Sequence, residues 1–236
     1  MYKQRDFIRD FVFPLATAEK NDRGYEHKAF LGSGFLFGNK GFALTAAHVI
    51  EKHLSELIIS MFVGEDNAWY AFEVLEHELH PKEDVAIIKI NGGPWCAPFR
   101  MRNKWEGASA KYQMFGYPED ALYEKIDENT GRATPRPDLI YTEGYLRRRL
   151  TFNPGIPGVK GDSFFELSEI AGPGCSGSPL YINNNRIWDV IGIYVGEKIN
   201  DRRTDVSYAV REEDFRNWIP EMLGTSILAE SQNYKA

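Results

Sequence analysis

The chain has 236 residues, of which 43% are hydrophobic and 26% charged, with a formal net charge of −6. That apolar content supports a sizeable core and excludes a disordered chain, and the acidic balance argues against nucleic-acid binding, which needs a basic face toward the phosphates. The two cysteines, Cys96 and Cys175, are too few for the bridge framework of a secreted domain and fit a reducing compartment, so a soluble cytoplasmic protein is expected.

Taken in chain order, the opening MYKQRDFIRDFVFPLATAEK is apolar only over residues 11–18, too short for a signal core. The longest uncharged stretch, 170–185, is full of Gly, Pro and Asn, and no segment is expected to span a membrane. Short runs rich in Phe, Ile, Val and Tyr between turn clusters predict an all-β fold. A first set of strands is predicted at 7–13, 29–37, 42–45, 57–63, 70–75 and 85–90. A break rich in Gly and Pro follows at NGGPWCAPFRMRNKWEG. A second set is predicted at 111–115, 139–146, 163–167, 179–182, 188–195 and 206–210. Between its first two strands lies the long polar stretch 118–138, which reads either as a lid or partner site or as a disordered insertion. The run Arg147, Arg148, Arg149 reads as a solvated strand or loop end. Helix signal is confined to REEDFRNWIPEML, where Phe215, Trp218, Ile219 and Met222 follow helical spacing and Pro220 forces a kink or stop. The tail 224–236 reads as loosely held. No internal repeat is visible.

Three stretches could carry chemistry. GPGCSGSPL, residues 172–180, sets two candidate nucleophiles, Cys175 and Ser176, between glycines that allow a sharp, exposed turn. GFALTAAHVIEKH places His48 after an apolar strand and two alanines; taken alone it reads as a core histidine. HPKEDVAIIKI places Asp84 at the head of an apolar strand, where a turn aspartate is ordinary. Together they supply a nucleophile, a base and an acid that could orient the base, and their chain order, His48, Asp84, Ser176, is that of one known triad arrangement.

On these motifs the chain resembles the trypsin/chymotrypsin-like serine peptidases, and among them the simple bacterial, HtrA-type members without disulfides. The resemblance covers about residues 28–220. GSGFLFGNKGFALTAAHVI is similar to the strand pair ending in the histidine motif, DVAIIKI to the aspartate motif, GCSGSP to the nucleophile motif, VIGIYVGE to the strand lining the substrate cleft, and VSYAVREEDFRNWI to the last strand and closing helix. The resemblance implies two six-stranded antiparallel Greek-key barrels, a chymotrypsin-like double barrel, with a short C-terminal helix. It puts the barrel carrying His48 and Asp84 at 1–104, the barrel carrying the nucleophile at 105–211, and a closing helix and tail at 212–236. It makes Ser176, not Cys175, the nucleophile, His48 the general base and then acid, and Asp84 the group that orients the imidazole. The N–H groups of Gly174 and Ser176 would form the oxyanion hole.

The sequence departs from the digestive enzymes at two places. Cys175 stands where they carry an aspartate that pairs with a freshly cut N-terminus, so activation by N-terminal insertion is not expected. Ser178 stands where glycine is more usual, a small enough change to be tolerated. A polypeptide substrate would lie as an added strand beside Ile193, Tyr194, Val195 and Gly196. The resemblance makes Ile170 the pocket floor, which with Ala171 and Tyr194 nearby favours a small or medium apolar side chain, although a loop shift that brought in the adjacent Glu169 or Glu197 would restore a basic preference. No cofactor, metal or nucleic acid is expected. The resemblance implies a serine endopeptidase controlled by a partner protein or signal inside a bacterial cell, in stress or defence. A catalytically silent peptide-binding module on the same fold, and an esterase using the same triad, are the alternatives.

Overall fold

The computed structural model describes every residue except 1, 6, 23, 94, 127–132, 185–186, 200–204 and 235–236, with main chain only at 123–126 and 133–135. The first barrel is built from β1 (Val12–Asn21), β2 (Gly24–Phe37), β3 (Phe42–Thr45), β4 (Leu57–Val63), β5 (Trp69–Leu79) and β6 (Ala86–Ile90). They close antiparallel in the order β1-β2-β3-β6-β5-β4. After β7 (Phe99–Met101), the second barrel uses β8 (Lys111–Gly116), β11 (Ile140–Leu150), β12 (Phe164–Leu167), β13 (Pro179–Asn184), β14 (Ile187–Lys198) and β15 (Val206–Arg211). Their order is β13-β8-β11-β12-β15-β14, closed by the pairing of β13 with β14. Counted from its own first strand, this is the order of the first barrel. The structure is therefore the expected double barrel.

Local pattern explains why these stretches are strands. Along β8 burial alternates, with Tyr112 and Met114 facing in and Lys111 and Gln113 outward, the period of a half-buried strand. β3 is buried throughout, as a short strand between β2 and β6 must be. Phe62 lies between Phe13, Phe72 and Trp95, with ring centroids 4.9, 5.7 and 4.9 Å away. Burying such a ring contributes about 1.5–3 kcal/mol.

Four segments differ from the sequence expectation. The first predicted strand, 7–13, is instead a 3-10 turn over Ile8–Asp10 running into β1. The buried Asp10 carboxylate turns the chain there by accepting the Tyr2 hydroxyl at 2.8 Å and the Arg5 N–H at 3.0 Å. β7, within the predicted break, pairs in parallel with β14 and so joins the second barrel's sheet. Within 118–138, β9 (Leu122–Ile126) and β10 (Ala133–Pro137) form an antiparallel hairpin; the centre of that stretch lies outside the described residues. The fourth difference is at the C-terminus. REEDFRNWIPEML makes a 3-10 turn at Glu212–Asp214 and then turns, because Pro220 has no N–H to give and disfavours helical backbone at Ile219. The short helices are α1 (Ala47–Ile50) and α2 (Ile227–Ser231). α2 is far from loose: Glu230 and Ser231 are buried, Glu230 pairs with Lys40 at 3.0 Å, and the Ser231 hydroxyl accepts the Met101 N–H at 3.0 Å. The tail thus ties a first-barrel turn to β7.

The arginine run sits on β11. Arg148 donates twice to Glu166, at 2.9 and 2.7 Å, and Arg149 lies over the Trp105 and Phe165 rings. These cations are engaged by the second barrel itself.

Candidate active site

Each side chain is positioned by the end of a buried strand. His48 follows β3 in α1, behind the fully buried Ala46 and Ala47, whose small size lets the helix start against the barrel. Asp84, itself fully buried, heads β6. The two meet: Asp84 Oδ2 lies 2.6 Å from His48 Nδ1, and Oδ1 accepts the His48 main-chain N–H at 2.9 Å. With Nδ1 and Asp84 so engaged, Nε2 is the ring nitrogen left for chemistry.

The loop carrying Asp84 is held by a second histidine. His80 Nδ1 accepts the N–H groups of Lys82 at 3.2 Å and Glu83 at 2.8 Å, and its ring stands edge-on to Trp218, 5.0 Å away at 88°. Burial, with lesser repulsion from Lys160 and Lys82, pushes its pKa down to about 4. The ring is therefore neutral at physiological pH, as an acceptor must be. Because the folded value lies below the unfolded one, this imidazole costs the fold stability as pH falls through about 6.5 toward 4. Glu212, held up to about 7 by burial, acts oppositely over much of that window, so the readout is the imidazole and not the melting temperature. We expect the His80 proton resonances to titrate with a midpoint near pH 4 in an NMR titration; a midpoint near 6.5 would overturn this role.

Ser176 lies in the turn between β12 and β13. Its hydroxyl makes no hydrogen bond to His48 among the described residues, so the resting structure brings imidazole and carboxylate together but leaves the hydroxyl unengaged. Such contacts often tighten only when substrate binds. The main chain of Ser176 is held beside the histidine helix. A Cβ on Gly32 would lie 2.9 Å from both the Ser176 carbonyl oxygen and the Val49 side chain, so Gly32 is what lets the two approach.

The neighbouring thiol is placed quite differently. Cys175 is buried in the second barrel's interior with Tyr112, Leu180 and Tyr194, its Sγ 3.2 Å from the Ala171 carbonyl. Burial, with smaller contributions from Glu197 and Asp120, pushes its pKa up to about 12. A thiol so held is neither exposed nor ionised, and the thiolate is the reactive form. Ser178 is buried beside Gly116, whose missing Cβ leaves room for its hydroxyl.

The turn's main chain has a definite orientation. Gly172, Gly174 and Gly177 have φ of 88°, 91° and 92°, values glycine adopts freely. The Pro173 carbonyl accepts the Glu119 N–H at 2.7 Å. In a trans peptide this points the Gly174 N–H the opposite way. The Cys175 N–H is bonded back to Gly172 at 3.3 Å. Those of Gly174 and Ser176 have no acceptor among the described residues.

Sequence reasoning missed Ser33. Fully buried on β2, it clasps the turn from the first barrel. Its N–H donates to the Ser176 carbonyl at 2.8 Å, its hydroxyl donates to the Gly174 carbonyl at 3.0 Å, and the same hydroxyl accepts the Tyr117 N–H at 3.0 Å. The only local signal is a small polar residue between Gly32 and Gly34. We expect Ser33→Ala to lower kcat on peptides about 10- to 100-fold, the scale of a small misplacement, with KM little changed in steady-state assays. A kcat within twofold of wild type, whatever the change in melting temperature, would refute it.

The expected substrate residues are scattered. Ile170 and Ala171 are half-buried beside the turn, and Gly196 has φ 135°. Tyr194 is 1% exposed, its ring packed in the second barrel's core. Its hydroxyl donates to Glu197 Oε2 at 3.1 Å, and that same oxygen accepts the Gly172 N–H at 3.1 Å. Val195 is also buried, so these two can meet a substrate only through their main chain.

No curated protein matches this sequence significantly. Among solved structures, the chain is similar to the MamO protease domain from Magnetospirillum magneticum in its apo form, with a TM-score of 0.60, 15% identity, and 86% of this chain and 92% of that chain covered. It is also similar to Rv3671c from M. tuberculosis H37Rv, a serine-to-alanine mutant in an inactive form, with a TM-score of 0.55, 18% identity, and coverage of 86% and 82%. At these identities the likeness is one of fold. The family model of the trypsin-like peptidase domain matches residues 32–193, the span from the clasp on β2 through His48, Asp84 and Ser176 to β14, and the chain belongs to that family.

Proposed function

We propose that the chain is an active serine endopeptidase using Ser176, His48 and Asp84. The observation that carries this reading is the coincidence, at one junction of the barrels, of the paired His48 and Asp84 with a turn whose Gly174 and Ser176 N–H groups are unengaged among the described residues. Ser176 Oγ attacks the scissile carbonyl carbon while His48 Nε2 takes its proton. Asp84 holds the tautomer and balances the imidazolium. The new oxyanion is met by the N–H groups of Gly174 and Ser176, each such donor contributing on the order of 3 kcal/mol. His48 then protonates the leaving amine, and water, activated by the same imidazole, releases the acyl group.

The substrate strand lies against the main chain of Val195 and Gly196, with its side chain over Ile170 and Ala171. Engagement of Glu197 by two donors supports an apolar preference there over a basic one. No helix among the described residues is long and apolar enough to cross a membrane. A cytoplasmic bacterial setting, and restraint by a partner protein, belong to this reading. The test is exposure to a serine-directed fluorophosphonate and to a mixed peptide library. Labelling with cleavage is expected. Labelling with ester but no peptide turnover would favour the esterase, and neither would leave a peptide-binding module.

A further inference from the structure

Between the barrels, on the flank of the nucleophile turn away from β14, lies a cavity of about 280 Å³. Its floor comes from the first barrel, through Phe30 on β2, Met61 on β4 and Trp69 on β5, and its wall from Glu119 and from Leu122 and Arg136 on the β9–β10 hairpin. We propose that this cavity is a substrate subsite for a large apolar side chain on the leaving-group side of the scissile bond. The proposal rests on the peptidase reading above.

Position is the first argument. On one flank the turn is bonded to β14, Gly177 N–H to the Tyr194 carbonyl at 2.8 Å and Tyr194 N–H to the Ser178 carbonyl at 2.9 Å. On the other flank a Cβ on Gly174 would lie 2.6 Å from Phe30 Cε1 and 2.7 Å from the Glu119 nitrogen. An extended peptide paired to Gly196 and crossing Ser176 therefore leaves over Gly174, onto Phe30 and the cavity.

Chemistry is the second. The lining is mostly apolar, and Leu122 is 55% exposed, a side chain whose burial by a ligand is favourable. Two donors on lining residues, Trp69 Nε1 and Arg136 Nε, are shielded from solvent and have no acceptor among the described residues. Such groups are costly unless paired, and the carbonyl oxygens of an extended segment would pair them.

Construction is the third. The hairpin base is fastened at both ends, by the Glu119 N–H on the Pro173 carbonyl at 2.7 Å and by Arg9 on Asp138 at 2.5 Å. The wall is thus tied to the same turn that carries Ser176, so a side chain seated in it would bear directly on the register of the scissile bond.

The experiment compares the intact protein with Leu122→Asp and Trp69→Phe on three reagents: a fluorophosphonate, a peptidyl amide whose leaving group is a small dye, and a peptide library varied on the leaving-group side. The library should be cleaved with an apolar residue enriched on that side. Leu122→Asp should lower kcat/KM for those peptides tenfold or more, and Trp69→Phe three- to tenfold, with dye-amide turnover and labelling within twofold of wild type. No apolar enrichment, or equal losses on peptide and dye amide, overturns the subsite while leaving the peptidase reading intact. A wild-type protein that neither labels nor cleaves overturns both.

Discussion

Replacing Ser176 with alanine is expected to abolish fluorophosphonate labelling and to lower peptide turnover by about 10⁵- to 10⁶-fold, the scale seen when a triad nucleophile is removed. Cys175→Ala should keep both labelling and turnover within about tenfold. The contrast follows from placement. The thiol lies in the second barrel's interior, hydrogen-bonded to Ala171 and held protonated by burial, whereas Ser176 is half-exposed on the turn. Alanine at 175 removes one sulfur from a packed interior, which costs stability but leaves the turn's main-chain bonds in place. Mass spectrometry of the labelled protein reads the result directly. Label on Cys175, or survival of turnover in Ser176→Ala, would sink the assignment.

The second large effect is expected at Asp84. Asp84→Asn should lower kcat by about 10⁴-fold, because an amide facing Nδ1 favours the wrong tautomer. Both carboxylate oxygens are committed to His48, one to the ring at 2.6 Å and one to the main-chain N–H at 2.9 Å. An asparagine can accept the main-chain N–H through its oxygen, but then presents its NH₂ to a ring nitrogen that should be donating. The ring turns its acceptor toward the amide, and Nε2 then carries the proton and cannot take one from Ser176. Folding should survive, since the side chain keeps its size in a fully buried site. A melting temperature close to wild type with turnover lost, measured on one preparation, separates this from collapse of the loop. Turnover within tenfold of wild type would argue that the imidazole acts without its partner.

Much of the strand content was legible because each strand carries its own pattern. Strands 42–45 and 57–63 were expected at the bounds observed, since Gly41 and the polar residues beyond them punctuate runs of Phe, Ile and Leu. The C-terminal stretch was misread because Phe215, Trp218 and Met222 fit a helical stripe while Pro220 decides the backbone. There, apolar spacing reports burial but not conformation. α2 was missed because five residues, Ile227–Ser231, are too few for periodicity to register. Ser33 was missed because its bonds run to residues 117, 174 and 176, far beyond any local window. That the Tyr194 ring lies in the core was not legible, because VIGIYVGE resembles a cleft-lining strand without telling which of its side chains face inward. Which face of that strand meets the core depends on how the barrel closes.

By itself the sequence determined that this chain makes two sets of short strands with a nucleophile-bearing turn in the second, because alternation, glycine and proline act over a few residues. Only the tertiary structure decided that the two sets close in the same strand order despite no visible repeat, that the carboxylate of residue 84 reaches the imidazole of residue 48, and that of two adjacent side chains one enters the core while the other stays at the surface. The physical reason is the same in each case. These are contacts across tens to more than a hundred residues, made by packing one barrel against itself and then against the other, and no short stretch of chain encodes its partner's position.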